Sequence, residues 1–275
     1  MFSKIKPEIF DNNFFTVKYI NQPQGSISYV DFQVTPSLNS FLPASMSPIV
    51  MSKNIKLKQL VIPVNFYSID TDLFWSIYYT IINEIKREFF KKITVLGEQN
   101  RNNQDINFDI IPRNIKKNNQ DVGNSILNRL NNASNYLAFQ GRIGPAQWLI
   151  SNKETYNHLL SFMIDLNLTY NKDNHLMINN MSFFVDELVD DDIILVGRKN
   201  TVQQPGVHCF ILTDEQGNIQ FHEISNSMNY NNLIMYFAIE DFGIQPYLQY
   251  FKIHTTDLAY QRYKKLNKIK QIYGL

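Results

Sequence analysis

Between residues 70 and 96 the apolar side chains Phe74, Ile77, Tyr78, Ile81, Ile85, Phe89 and Ile93 recur three and four positions apart. That spacing is one face of an α-helix. Asp70 is a suitable N-cap, and Asp72 falls near the positive end of the helix dipole. Glu84 can pair with Arg87, and Glu88 with Lys91 or Lys92, at helical spacing. Gly97 is expected to end the helix. About 27 residues at 1.5 Å each make a rod of about 40 Å. A compact domain built from 275 residues has little use for so long a helix. The chain must either wrap two lobes around it or leave part of it for a partner. Trp75 and Phe90 fall off the main stripe, which points to the second option for some of its surface.

Composition narrows the alternatives. The chain is 44% hydrophobic and 19% charged, with a formal net charge of +1. It is too apolar for a disordered chain and too nearly neutral for a global case as a nucleic-acid binder. A single cysteine excludes an intrachain disulfide framework and a cysteine-rich metal site. No apolar run approaches the ~20 residues that span a bilayer, and residues 1–10 carry no signal-peptide core. A soluble protein with no membrane partner is expected. The 20 Phe and 15 Tyr supply more large rings than one core needs, and such rings dominate interfaces as well as cores.

The rest of the chain reads as follows. Residues 1–13 form a polar arm. Phe15, Val17 and Tyr19 alternate with polar residues, NQPQG follows, and an extended run through Tyr29 and Phe32 comes next. This predicts a long β-hairpin over 14–34, carrying large apolar residues on both sides. A free two-stranded ribbon is marginal in water, so it must pack on something. Residues 35–48 hold three prolines and read as an extended connector. Residues 49–66 read as a strand and 98–121 as a polar loop. A second helix fits 122–139 through Ile126, Leu130, Ala133 and Leu137. GRIGP breaks it, QWLIS is a short buried strand, and Ser151 with Glu154 forms a capping box for a third helix. Strands are expected at 176–185, 192–198, 206–213, 219–224, 233–240 and 246–254, with DEQGN (214–218) as a hairpin turn. The order is α+β without the alternation of nucleotide-binding folds.

Catalytic signatures are absent from the sequence. There is no glycine-rich phosphate loop, no G-x-S-x-G elbow and no H-E-x-x-H. Cys209 follows His208, and neighbours in a strand point to opposite faces, so Cys209 reads as a small buried hydrophobe. The histidines lack ligand spacing. Asp186, Glu187, Asp190, Asp191 and Asp192 are the densest charge. They read as a divalent-cation site, a patch for a basic partner, or a solvated connection between strands. Arg262, Lys264, Lys265, Lys268 and Lys270 make a basic C-terminal helix or tail. It suits either solvent or the phosphates of bound nucleic acid.

The segment 122–198 carries a resemblance. A helix, then GRIGPAQWLISNKETYNHLLSF, then INNMSFFVDELVDDDIILVGRK resembles the axial domain of major capsid proteins of tailed phages of the T-even-like group. Arg142, Gly144, Trp148, Ile150 and Ser151 sit at matching positions, as do Val196, Gly197 and Lys199. The resemblance implies a Hong Kong 97-like capsid fold. Its parts would be an N-terminal arm at 1–13, an E-loop hairpin and connector at 14–48, and a peripheral domain at 49–121 with the spine helix at 70–96. An axial domain with returning peripheral strands would follow at 122–255, and a basic C-terminal helix or tail at 256–275.

It further implies a structural role without catalysis, metal or cofactor. Copies of the chain would assemble into pentamers and hexamers of an icosahedral virion shell around double-stranded DNA, put together in the host cytoplasm, with portal, scaffold and decoration proteins as further partners. Self-assembly would use Phe15, Val17, Tyr19, Tyr29 and Phe32 of the E-loop and Phe74, Trp75, Tyr78, Phe89 and Phe90 of the spine helix. Arg142, Gly144, Trp148 and Gly197 form the axial motif, and Arg262, Lys264, Lys265 and Lys268 would face DNA. A pentameric vertex protein or an encapsulin-like compartment shares the fold. A metal-assisted hydrolase using the acidic cluster with His208 or His222 is the reading from another class.

Overall fold

The computed structural model of the chain describes residues 5–21, 29–34, 51–64, 70–102, 119–141, 144–165, 170–172, 175–199, 206–227, 230–242, 250–255, 258 and 272. The chain divides into two compact units, each made of two separated segments. One unit is Met1–Phe89 with Lys199–Pro246, and the other is Phe90–Arg198 with Tyr247–Leu275. The dividing point falls inside the long helix α1 (Asp70–Asn102). The architecture is α+β.

In the first unit, β12 (Tyr230–Phe242) is the central strand. It pairs antiparallel with β10 (Gly206–Thr213), β11 (His222–Ser227) and β4 (Lys58–Val64). The first strand, β1 (Val17–Asn21), lies parallel to β10, with Val17 opposite Cys209. This corrects the expected 14–34 hairpin. The antiparallel partner of β2 (Tyr29–Val34) is β3 (Met51–Lys56), not β1. The physical reason is burial on both faces of β1. Phe15 and Val17 on one side and Thr16, Lys18 and Ile20 on the other are all buried, which no two-stranded ribbon achieves and insertion beside β10 does. Asp11 fixes the entry, its Oδ1 accepting the Val17 N–H at 2.6 Å. A 3₁₀ turn at Pro7–Phe10 precedes it, and Phe10 stacks on Tyr78 of α1 at 5.4 Å.

β3 and β4 replace the single strand expected at 49–66, with Leu57 between them. Ile55 and Leu57 bury with Ile20, Phe210, Leu212 and Ala238 in one cluster. The turn at 214–218 forms as expected, with Asp214 Oδ1 accepting the N–H groups of Gln216 (2.9 Å) and Asn218 (2.8 Å). A single bridge from Thr213 to Ile219 closes it, and the strands on either side pair with β12.

The second unit contains a six-stranded sheet in the order β13-β9-β5-β8-β7-β6. These strands are β5 (Trp148–Ser151), β6 (Tyr170–Lys172), β7 (His175–Ile178), β8 (Met181–Val185), β9 (Ile193–Gly197) and β13 (Tyr250–His254). The strand expected at 176–185 is two strands. Asn179 and Asn180 both take positive φ, 51° and 63°, the conformation of a two-residue turn that asparagine tolerates. Helix α2 (Asn119–Gly141) buries Ile126, Leu130, Ala133 and Leu137 in the same cluster as Leu149, Phe183, Ile194, Val196 and Phe251. Helix α3 (Lys153–Asp165) adds Leu159 and Met163. Its cap lies one residue beyond the expected box. Asn152 Oδ1 accepts the Thr155 N–H at 2.9 Å, while Ser151 closes β5.

Gly97 does not end α1, which runs on to Asn102. A Cβ at Gly97 would lie 2.9 Å from the Lys252 backbone nitrogen. The glycine is there because β13 passes against the helix at that point. Around it, Glu98 Oε2 receives Lys252 Nζ (3.2 Å) and faces His254 Nε2 (3.1 Å), and Asn100 donates to the Tyr250 carbonyl.

Candidate functional site

The axial-motif residues converge. Trp148 opens β5 and stands directly opposite Gly197 at the end of β9. Its ring lies where a side chain on Gly197 would be, since a Cβ there would fall 2.5 Å from Trp148 Cζ2. The ring is buried and lies 6.2 Å from that of Tyr250. Gln147 donates its N–H to the Gly197 carbonyl (2.8 Å), and its own carbonyl accepts from Ser182 (2.9 Å). Gly144 takes a φ of +104°, favourable only to glycine. A Cβ there would sit 2.5 Å from Arg198 Nη1, and that same nitrogen donates to the Pro145 carbonyl at 3.2 Å. Two glycines thus make room for a tryptophan and an arginine at one end of the sheet. Arg198 is the member sequence reasoning missed. Its adjacency to Gly197 and the positive-φ demand at Gly144 were the available signals. Arg142 lies outside the described residues.

The opposite end of the same sheet carries the acidic turn between β8 and β9. Asp191 accepts from the Asn152 side chain, and Asp192 Oδ1 accepts from Thr255 Oγ1 at 2.9 Å. Asp186 Oδ1 accepts the Leu188 N–H at 3.2 Å. Asp192 has a φ of +58°. The turn is therefore an ordered clasp tied to the α3 cap. Among the described residues, no group of three or more His, Cys, Asp or Glu side chains is placed to hold a metal ion.

On α1 the expected interface residues separate. Phe89 and Phe90 are buried, and Phe89 packs on Phe15 at 4.7 Å. Phe90 was expected to lie off the buried stripe. It is covered because the middle of α1 buries a wide arc, Ile81, Ile82, Ile85, Phe89, Phe90 and Ile93 together. Toward the N-terminus the opposite holds. Trp75 is 47% and Tyr79 56% exposed, although their rings meet each other and those of Phe74 and Tyr78 at 5.4–6.0 Å. Tyr19 is 57% exposed on β1, while Phe15 and Val17 belong to the core. Tyr29 and Phe32 stand in β2, opposite Lys56 and Lys53. Arg262, Lys264, Lys265 and Lys268 lie outside the described residues.

His208 and Cys209 are buried, and His208 Nδ1 meets Thr16 Oγ1 at 2.7 Å. Burial, reinforced by the charge of Asp11, pushes the Cys209 thiol far above its ordinary range, which removes it as a nucleophile. His222 meets the Tyr236 ring edge-on at 5.8 Å. Among the described residues, no helix is long and apolar enough to cross a membrane.

No protein-family model matches the sequence, and no curated protein matches it. Similar solved structures do exist. They include a phage capsid, a virus-like particle and an encapsulin. The capsid of the cyanophage P-SCSP1u is 11% identical with a TM-score of 0.49, over 91% of this chain and 88% of that one. A virus-like particle from Pyrococcus furiosus is 13% identical at TM-score 0.48, over 86% and 89%. The SrpI encapsulin of Synechococcus elongatus PCC 7942 is 10% identical at TM-score 0.44, over 86% and 84%.

Proposed function

We propose that this chain is a capsid shell subunit of the Hong Kong 97 type, the major capsid protein of a tailed phage, which works by self-assembly and carries no catalytic centre. The observation that carries the reading is the uncovered aromatic row of Trp75 and Tyr79 on a helix of 33 residues. Large rings on a long helix are costly to leave in water, and a neighbouring copy is the natural cover. The β2–β3 ribbon would take the E-loop role that the resemblance implies for residues 14–48, because it is an antiparallel pair that precedes the helix. The clasp of Gly144, Trp148, Gly197 and Arg198 supports an axial domain downstream, as the resemblance of GRIGPAQWLIS implies. Shell closure needs heterologous contacts that turn into rings. The basic C-terminal segment would meet packaged double-stranded DNA through its phosphates, without reading sequence. The shell would be the virion capsid, with portal, scaffold or decoration proteins as additional partners.

The test is negative-stain electron microscopy with sedimentation of the purified chain and of Trp75→Ser/Tyr79→Ser. The wild type should form shells, tubes or capsomer rings. The double variant should stay folded, checked by a cooperative melt, and lose assembly, since about half of each side chain stands in solvent. A wild type that remains monomeric with and without its genomic neighbours, or a variant that assembles as well as the wild type, overturns the reading.

A further inference from the structure

The sheet of the second unit has two unlike ends, and register fixes which residues lie at each. Trp148 pairs with Gly197 and Ser182, so the start of β5, the end of β9 and the start of β8 share one end. The approach of Arg198 to Gly144 places Gly144 there too, three residues after the last residue of α2. Phe139, two residues before the last residue of α2, is 78% exposed. Ser151 pairs with Val185, so the end of β5, the start of α3 and the acidic turn share the other end. Glu187 and Asp190 are exposed there, beside a partly exposed Val185.

Both ends are held in place. Arg198 is pinned over Gly144 by its bond to the Pro145 carbonyl, and its buried Nε has no hydrogen-bond partner among the described residues. The acidic turn is tied down through Asp191 and Asp192 by the neutral donors Asn152 and Thr255. β9 has five residues and spans about 17 Å at about 3.3 Å each. Arg198 cannot reach the acidic turn of its own sheet across that span.

The geometry points to a head-to-tail contact between copies of this chain, in which Phe139 and Arg198 of one meet Val185, Glu187 and Asp190 of the next. This rests on the shell reading and names a contact within its rings. Unlike ends of fixed geometry make the contact heterologous, so successive copies turn about an axis rather than closing as a two-fold dimer. Phe139 supplies the desolvated anchor, and the opposite charges set partner and orientation.

Sedimentation velocity of the full chain tests it with Phe139→Ser, Asp190→Arg, Arg198→Glu and the swap Arg198→Glu/Asp190→Arg, each checked by thermal melt. Phe139→Ser and Asp190→Arg alter exposed side chains and should melt like the wild type. Each should raise the concentration needed for assembly by roughly tenfold or more, and the swap should recover most of the loss in Asp190→Arg. If Arg198→Glu fails to fold, Asp190→Arg with Phe139→Ser still decides. A wild type that assembles while both of these variants assemble equally well overturns this contact and leaves the shell reading standing. A wild type that never assembles overturns both.

Discussion

Gly197→Ala is the sharpest probe of how the axial motif is built. The added methyl would fall 2.5 Å from Trp148 Cζ2 and 3.0 Å from Cζ3, and the indole is a rigid body walled in by its neighbours. The strain must go into a shifted ring or a loosened β5–β9 pair. Overpacking of a well-packed core costs about 1–3 kcal/mol, and a rigid partner puts this case near 3. For a chain of this size each kcal/mol moves the melting temperature by about 2–4 °C, so a fall of about 6–12 °C is expected. Trp148→Phe removes the outer ring atoms that cause the clash. In the Trp148→Phe background, Gly197→Ala should cost less than about 1 kcal/mol, a coupling of about 2 kcal/mol. The assay is urea or thermal unfolding of the four proteins of the cycle, followed by circular dichroism. A Trp75→Phe background leaves Trp148 as the sole tryptophan for fluorescence. Gly197→Ala melting with the wild type, or costing the same with and without the indole, refutes the argument that this glycine exists to admit Trp148.

Other consequences follow from residues already placed. Burial lowers the Lys18 ammonium from 10.5 to about 8, so between those values the unfolded chain binds more protons than the folded one, and stability rises with pH across that window. Lys18→Met should flatten this rise, measured by urea melts at pH 8 and pH 10; equal slopes in the two proteins refute it. Gly97→Ala should destabilise by about 1–3 kcal/mol, although alanine in an open helix would stabilise by about 1 kcal/mol, so the sign alone decides whether β13 presses on α1. Asn152→Ala should cost about 1 kcal/mol or more through loss of the α3 cap, read as a lower melting temperature, whereas Asn152→Asp keeps the capping oxygen but sets a second carboxylate against Asp191 and should recover only part of the loss.

What could be read in advance was local. The stripe of Ile126, Leu130, Ala133 and Leu137 announced α2 and its buried face, and the run from Phe74 to Ile93 announced α1. Gly97 misled because a glycine that stops a helix and a glycine that lets a strand pass look alike in sequence. Asn179-Asn180 is a turn signal set inside an apolar stretch that reads as one long strand. β1 failed for a deeper reason. Alternation says that a strand is covered, not by what, and its partner β10 lies about 190 residues away, Thr16 meeting His208 at a separation of 192. At the candidate site the glycines and Trp148 were legible as a motif, but Arg198 was not, because its role depends on a backbone conformation at Gly144 that no periodicity reports.

That separation bears on how the chain is made. Each unit is stitched from an early and a late segment, so the first cannot be completed until the ribosome has worked through the long early segment of the second. β1 leaves the exit tunnel long before β10 exists. At about 5–20 residues per second, it waits about 10–40 s, with Val17 and Ile20 lacking their cover from β10 and α1 still missing β13. The nascent protein therefore passes through a period in which its stickiest segments are the oldest ones. Slower elongation lengthens that period, and a host chaperone that binds extended apolar segments would find its substrate there rather than in the finished subunit.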